Sequence, residues 1–289
     1  MLRYYYTKNE FTIMPASRQI KIAILDLYNG IANQAINSFE QILEEYGTKH
    51  GLDLSWQVFK VREANELPGT GFDSYISSGG PGNPFSEAEE WDKNYFKLID
   101  DLEAYNNSNQ QPKKHVLFVC HSFQLLCRRY QLGEVSSRNM PSFGVVPVHL
   151  VTDSKEDPLL KNIPNTFYAV DSRSWQVINP DLDAFEKIGA KILAMERKRP
   201  DNLPRALMAI RLNDYFVATQ FHPEMSPDVM KGRLLMADNK QQVIDEVGEY
   251  RYIEVLEQLH DADGLWHTFN TIIPNFLDGA ILNLQYGRI

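Results

Sequence analysis

Apolar runs and amphipathic stretches take turns along the first half of the chain. Residues 20–27, IKIAILDL, are almost continuously apolar over the length of a strand; the loop YNGIAN and a helical pattern reaching Tyr46 follow. LSWQVFKV (54–61), SYISSG (74–79) and HVLFVC (115–120) predict further strands. Residues 86–105 carry helical spacing, with Ser86 as the N-cap and Glu89 three positions on as its capping-box partner. Strands that are apolar throughout, separated by helices, predict a parallel sheet covered on both faces. Past Leu132 the texture changes. FGVVPVHLV, TFYAVDSRSWQVI, KILAMER, RALMAIRL and DYFVATQF succeed one another with turn residues between, and from Pro227 the pattern is helical again. The expected fold is α/β: a mostly parallel central sheet flanked by helices, with a strand-rich second half. Residues 1–19 read as a tail and residues 20–289 as one domain, since no repeat, low-complexity tract or linker divides them.

Composition narrows the partners. With 43% hydrophobic and 23% charged residues, the chain has the make-up of a soluble globular protein. Its 38 acidic and 29 basic residues leave a net charge of -9 and no basic stripe, so nucleic acid is not an expected partner. No apolar run approaches the roughly 20 residues that span a bilayer, and the N-terminus lacks the apolar core of a secretion signal. No membrane partner is expected. Cys120 and Cys127, if both lie on one helix start, are roughly 10 Å apart by helical rise, too far to bridge. A reducing, cytoplasmic location is the expectation.

Three stretches carry candidate chemistry. Cys120 sits where an apolar strand meets a helix whose inward face holds Phe123, Leu126, Cys127 and Tyr130. A helix N-terminus favours a thiolate, and the N–H of His121 points where an oxyanion could form. A small buried hydrophobe is the equally open alternative at that position. In ATQFHPEMSP, Pro223 biases His222 toward an extended backbone, so His222 and Glu224 share a face, as a base and its orienting carboxylate do. H-x-E also opens a zinc deaminase signature, but the P-C-x-x-C that must follow is absent, and no other metal-ligand spacing occurs. Neither a metal nor a cofactor is therefore expected. In SYISSGGPGNP a strand ends in Gly79-Gly80-Pro81-Gly82, where backbone can approach a ligand closely; no G-K-[ST] follows to make a phosphate loop. Taken singly, the last two stretches are most simply a solvent-facing strand end and a turn.

Together, and in this order, S-G-G-P, the strand–Cys–helix elbow with Gln124 four residues on, and F-H-P-E resemble the class I (triad-type) glutamine amidotransferases over roughly residues 20–227. The resemblance implies a Cys120–His222–Glu224 triad acting on glutamine or another γ-glutamyl compound. Cys120 would attack the amide carbon, ammonia would leave, and a γ-glutamyl thioester would be hydrolysed. It places the N–H groups of Gly80 and His121 at the oxyanion and Gln124 near the substrate. Ser172, Arg173 and Ser174 lie where the family's S-H-G-D segment holds the substrate's α-groups. The chain departs from the pattern in three places. Phe118 and Ser122 replace the glycines of G-x-C-x-G-x-Q, and Arg173, Ser174 and Trp175 replace His, Gly and Asp.

The family usually runs from F-H-P-E directly into a final helix. Here that helix is expected only within HTFNTIIPNFLDGAI, residues 267–281, and a charged, helix-patterned insertion at about 229–264 precedes it. A solvated surface pair and a lid or docking surface beside the site are both open readings of that insertion. Residues 225–289 are too few for a nucleotide-binding synthetase domain, so the implied partner for ammonia transfer is a separate synthetase or acceptor subunit. A γ-glutamyl peptidase needing no partner, and a non-catalytic regulatory protein of the same fold, are the alternatives.

Overall fold

The computed structural model describes residues 19–85, 89–198, 203–260 and 262–282. In the first strand, β1 (Ile20–Asp26), Ile22 and Ile24 enter one core while Ala23 and Leu25 enter another, and all four are buried. Both faces are covered, which is why the segment reads as a continuous apolar run. The strands that follow are β2 (Leu54–Lys60), β3 (Ser74–Ser77), β4 (His115–Val119), β5 (Glu134–Leu150), β6 (Thr166–Ile178), β7 (Lys191–Glu196), β8 (Leu207–Arg211) and β9 (Phe216–Thr219). They form one nine-stranded sheet in the order β2-β1-β3-β4-β9-β8-β7-β5-β6. From β2 to β9 the neighbours are parallel; from β9 to β6 they are antiparallel. The α/β architecture with its strand-rich second half is as expected.

The helices are α1 (Ala35–His50), α2 (Val61–Ala64), α3 (Glu90–Asn107), α4 (His121–Arg129), α5 (Leu182–Ile188), α6 (Pro227–Leu235), α7 (Ala237–Val247), α8 (Glu249–Gln258), α9 (Asp263–Phe269) and α10 (Ile272–Leu277). Ser86, expected to cap α3, lies outside the described residues, as do residues 1–18 of the expected tail. At the start of α3 the Glu89 carboxylate makes no cap bond and accepts instead from the Trp91 indole N–H. The single final helix is two short ones. Pro274 has no N–H for the Asn270 carbonyl, so it fits only in a first turn, and the chain breaks at Asn270–Thr271 and restarts at Ile272.

The parallel half positions the site. Register pairs Ser77 with Phe118 and Val119 with Thr219, so β3, β4 and β9 end side by side at one sheet edge. The glycine turn, Cys120 and the His222 segment leave those three strands in that place. Ligands in open parallel sheets bind outside the carboxyl ends of the strands.

Helices α6 to α8 do not stand free in solvent. Met230, Leu234, Val243, Tyr252 and Val255 form a third core with Met225 and with Phe143, Val145 and Val170 of the β5–β6 hairpin. Gly144, at φ 111°, gives α8 its close approach: a Cβ there would collide with the Val255 side chain. The Arg251 guanidinium donates to the Phe143 carbonyl at 3.0 Å and fixes the same contact.

Candidate active site

Cys120 forms the turn between β4 and α4 at φ 52° and ψ -99°, a left-handed conformation that a residue with a Cβ adopts only under strain. Its neighbours hold it there. The Cys120 N–H donates to Thr219 O at 2.8 Å and its carbonyl accepts from the Gln124 N–H at 3.1 Å. The Ser122 hydroxyl accepts from the Val119 N–H at 2.7 Å and lies 2.9 Å from Ser77 O, tying the turn to β3. Ser122 thus serves as a bracket in the place of a glycine. Phe118 finds its room in the core beyond the sheet, edge-on to Phe216 with centroids 5.7 Å apart.

Cys120 is only 4% exposed, yet it lines a cavity of about 580 Å³ and is open to a ligand there. Its sulfur lies 3.8 Å from Ser172 O and 3.7 Å from the Gln220 side-chain nitrogen. Cys127, seven residues on, is sealed in the core, and burial pushes its thiol far up.

His222 is pinned by a bridge across to β6, its N–H donating to Val170 O at 2.8 Å. The His222 Nδ1 lies 2.7 Å from Glu224 Oε1, and the carboxylate is fully buried. Burial alone lowers the imidazole pKa. The Glu224 carboxylate and, after it, Cys120 outweigh that and hold the ring well above its ordinary 6.5. The ring and the thiol flank a single point: a methyl group on Gly79 would meet His222 Cε1 at 2.9 Å, the Tyr28 hydroxyl at 3.2 Å and Cys120 Cβ at 3.3 Å. Gly79→Ala should therefore displace the imidazole, lower kcat about 100-fold and cost about 1–3 kcal/mol of stability as overpacking does. A kcat within threefold of wild type would show that the ring has slack this packing denies it.

Gly80 lies on the cavity wall, and a Cβ there would strike the Leu27 carbonyl. Arg62 clamps the turn, donating to Leu27 O at 3.2 Å and to Pro81 O. The His121 N–H falls in the first turn of α4, where no intrahelical acceptor exists. The His121 ring is buried away from the cavity; burial, with Arg62 and Arg128 nearby, lowers its pKa to about 3. His121 is not among the residues that line the cavity.

Gln124 lines the cavity, but its amide nitrogen is engaged with Trp175 O and Gln220 Oε1, both at 3.2 Å. It joins α4 to β6 and to the segment that follows β9. Ser172, Arg173 and Ser174 also line the cavity. The Arg173 Nε donates to Asp171 at 2.9 Å, and its guanidinium is buried. The loop after β1, at the end of that strand and so able to line this sheet edge, does so with Tyr28, Ile31, Ala32, Asn33 and Gln34 on the cavity wall. Gln220, Met225, Met230 and Val247 also surround the site and were not singled out by the sequence. Only Gln220 had a signal, two positions before His222 on an extended segment. Among the described residues no group of three or more His, Cys, Asp or Glu side chains is placed to hold a metal ion.

The profile of class-I glutamine amidotransferases matches residues 32–240. The chain belongs to that family. A glutamine amidotransferase from Thermotoga maritima superposes with a TM-score of 0.65 at 16% identity, covering 90% of this chain and 96% of that one. A glutamine amidotransferase from Methylobacillus flagellatus gives 0.62 at 14% identity, covering 92% and 96%. The glutaminase domain of Trypanosoma brucei CTPS, solved with bound acivicin, gives 0.53 at 18% identity, covering 72% and 87%. At such identities the likeness speaks for the fold. Among curated proteins none matches the chain. Family membership makes glutamine chemistry the frame for this class-I amidotransferase domain.

Proposed function

We propose that this amidotransferase-family protein is a thiol hydrolase of γ-glutamyl amides, with Cys120 as nucleophile, His222 as base and acid, and Glu224 as the imidazole's support. One observation carries the reading: a strained cysteine open to a cavity, beside an imidazole that a buried carboxylate holds at 2.7 Å. Cys120 attacks the γ-amide carbon and the carbonyl electrons move onto oxygen, between the N–H groups of Gly80 and His121. When the tetrahedral adduct collapses, the C–N bond breaks and the leaving nitrogen takes its proton from His222. Water, deprotonated by His222, then clears the thioester and frees glutamate. The backbone of Ser172, Arg173 and Ser174 holds the glutamyl α-groups, and Gln124 keeps that strand against the nucleophile.

With glutamine as substrate, the ammonia passes to a separate acceptor subunit. With a substituted γ-glutamyl amide the reaction is complete in itself, and the replacement of the family's His, Gly and Asp by Arg173, Ser174 and Trp175 favours that second reading. Residues 20–289 act as one domain, with the insertion at about 229–264 forming part of the site. The test is release of glutamate from glutamine and from γ-glutamyl amides, with hydroxylamine added to intercept the thioester as the hydroxamate. Wild type should yield both products, and Cys120→Ala neither. Failure of wild type on every amide would leave a non-catalytic protein of the same fold.

A further inference from the structure

One carbonyl oxygen decides which way two buried amides point. The Gln124 side-chain nitrogen donates to Trp175 O at 3.2 Å, and a carbonyl can only accept, so the Gln124 amide is turned nitrogen-first toward β6. The second hydrogen on that nitrogen goes to Gln220 Oε1, also at 3.2 Å. The oxygen of Gln220 is thereby committed to Gln124, and its nitrogen faces the other way, donating to the Cys120 sulfur at 3.7 Å. Reversing the Gln220 amide would set two NH₂ groups against each other. Its backbone is fixed as well: the N–H donates to Met208 O on β8 at 2.8 Å, and the residue is fully buried. Gln220 is not among the residues lining the cavity, so its N–H reaches the sulfur from the protein side and leaves the cavity side to His222 and the substrate. The sulfur sits between an acceptor and a donor. Ser172 O, 3.8 Å away, can take the hydrogen of a thiol and repels a thiolate; the amide N–H favours the thiolate.

Resting on the reading of the site just given, we propose that Gln220 is a further catalytic residue: its side-chain N–H, aimed by Gln124, holds the Cys120 sulfur as the nucleophilic thiolate and receives it again when the thioester is cleared. In that second half the oxygen of water adds to the thioester carbon. The C–S bond then breaks and its electron pair returns to the sulfur, while the proton taken from water stays on His222. The donor therefore acts at both ends of the cycle. Gln124 touches no reacting atom in this arrangement and is a positioning residue.

The experiment follows alkylation of Cys120 by iodoacetamide against pH in the full chain, read by mass on the peptide that carries it. Gln220→Met has the length of glutamine without the N–H, and Gln220→Asn withdraws the amide by one methylene; whichever folds suffices. The other titratable and charged groups around the sulfur are unchanged in both: His222 and Glu224 after β9, Tyr28 after β1, and Arg173 paired with Asp171 on β6. In each variant the acid limb of the alkylation profile should move to higher pH, and the rate at neutral pH should fall about tenfold. Gln124→Met, which lets the Gln220 amide turn, should shift the limb the same way by less. A limb that stays in place overturns the proposal. So does a lowered plateau with the limb unmoved, because that marks a displaced sulfur and not a lost donor. Alkylation needs no substrate, so it decides the donor by itself; wild type that releases glutamate from no γ-glutamyl amide would remove the hydrolase reading instead.

Discussion

Cys120→Gly should lower γ-glutamyl amide turnover at least about 10⁴-fold and at the same time raise the melting temperature. The two effects share one cause. At φ 52° and ψ -99° the residue pays a conformational cost, on the order of 1–3 kcal/mol for such regions, and glycine does not. Part of the gain is returned through the freer unfolded chain, about 0.4–1 kcal/mol. A net gain of about 1 kcal/mol raises Tm by roughly 2–4 °C for a domain of this size. Cys120→Ala keeps the strain, so it should lose the same activity without the added stability. Melting curves of the three proteins, alongside glutamate release, decide the matter. A glycine variant that melts below the alanine variant would mean that the turn stores no strain.

His222→Ala should cost about 10⁴–10⁶ in kcat/KM, and Glu224→Gln less by one to two powers of ten. Alanine removes the group that moves the proton; glutamine removes only the charge behind it. The pH profile separates the roles further. Glu224, followed by Cys120, keeps the imidazolium protonated to well above pH 6.5, and the proton it keeps is the one the leaving nitrogen receives. Loss of that proton forms the alkaline limb of the rate profile. In Glu224→Gln the main force raising the pKa is gone while the lowering by burial remains, so the alkaline limb should move to lower pH. An alkaline limb that stays in place would mean that it reports some group other than His222. Equal losses in the two variants would give the carboxylate a larger part than support.

Much of this architecture was legible because the strands at the site are buried on both faces and therefore announce themselves as apolar runs. β6 appears over the very residues that its sequence pattern marks out. Where a segment is exposed or broken, the pattern fails. The first half of β5 is polar, carries Pro141, and slips register between Ser137 and Ser142, so residues 134–142 do not read as a strand. The short helices α2 and α5 give too few turns for a helical period to show. Cys120, His222 and Glu224 could be named because the elbow and the H-P-E segment are local in sequence. Their meeting could not be read locally, since it depends on β4 and β9 being neighbours though about a hundred residues apart. The roles of Gly79 and Tyr28 come from three-dimensional packing under the imidazole, which leaves no trace in periodicity. The same holds for the insertion. Its charges made a solvated pair a fair expectation, and only its third core shows it closing over the β5–β6 hairpin.

The central claim is that the sulfur of residue 120, and not that of residue 127, becomes acylated. Acid-quenching the enzyme during turnover of a γ-glutamyl amide, followed by peptide mass analysis, measures this directly. The account predicts one γ-glutamyl group on the peptide carrying Cys120, discharged by hydroxylamine and absent from Cys120→Ala. An adduct confined to Cys127, or turnover without any adduct on either cysteine across the whole time course, would contradict it.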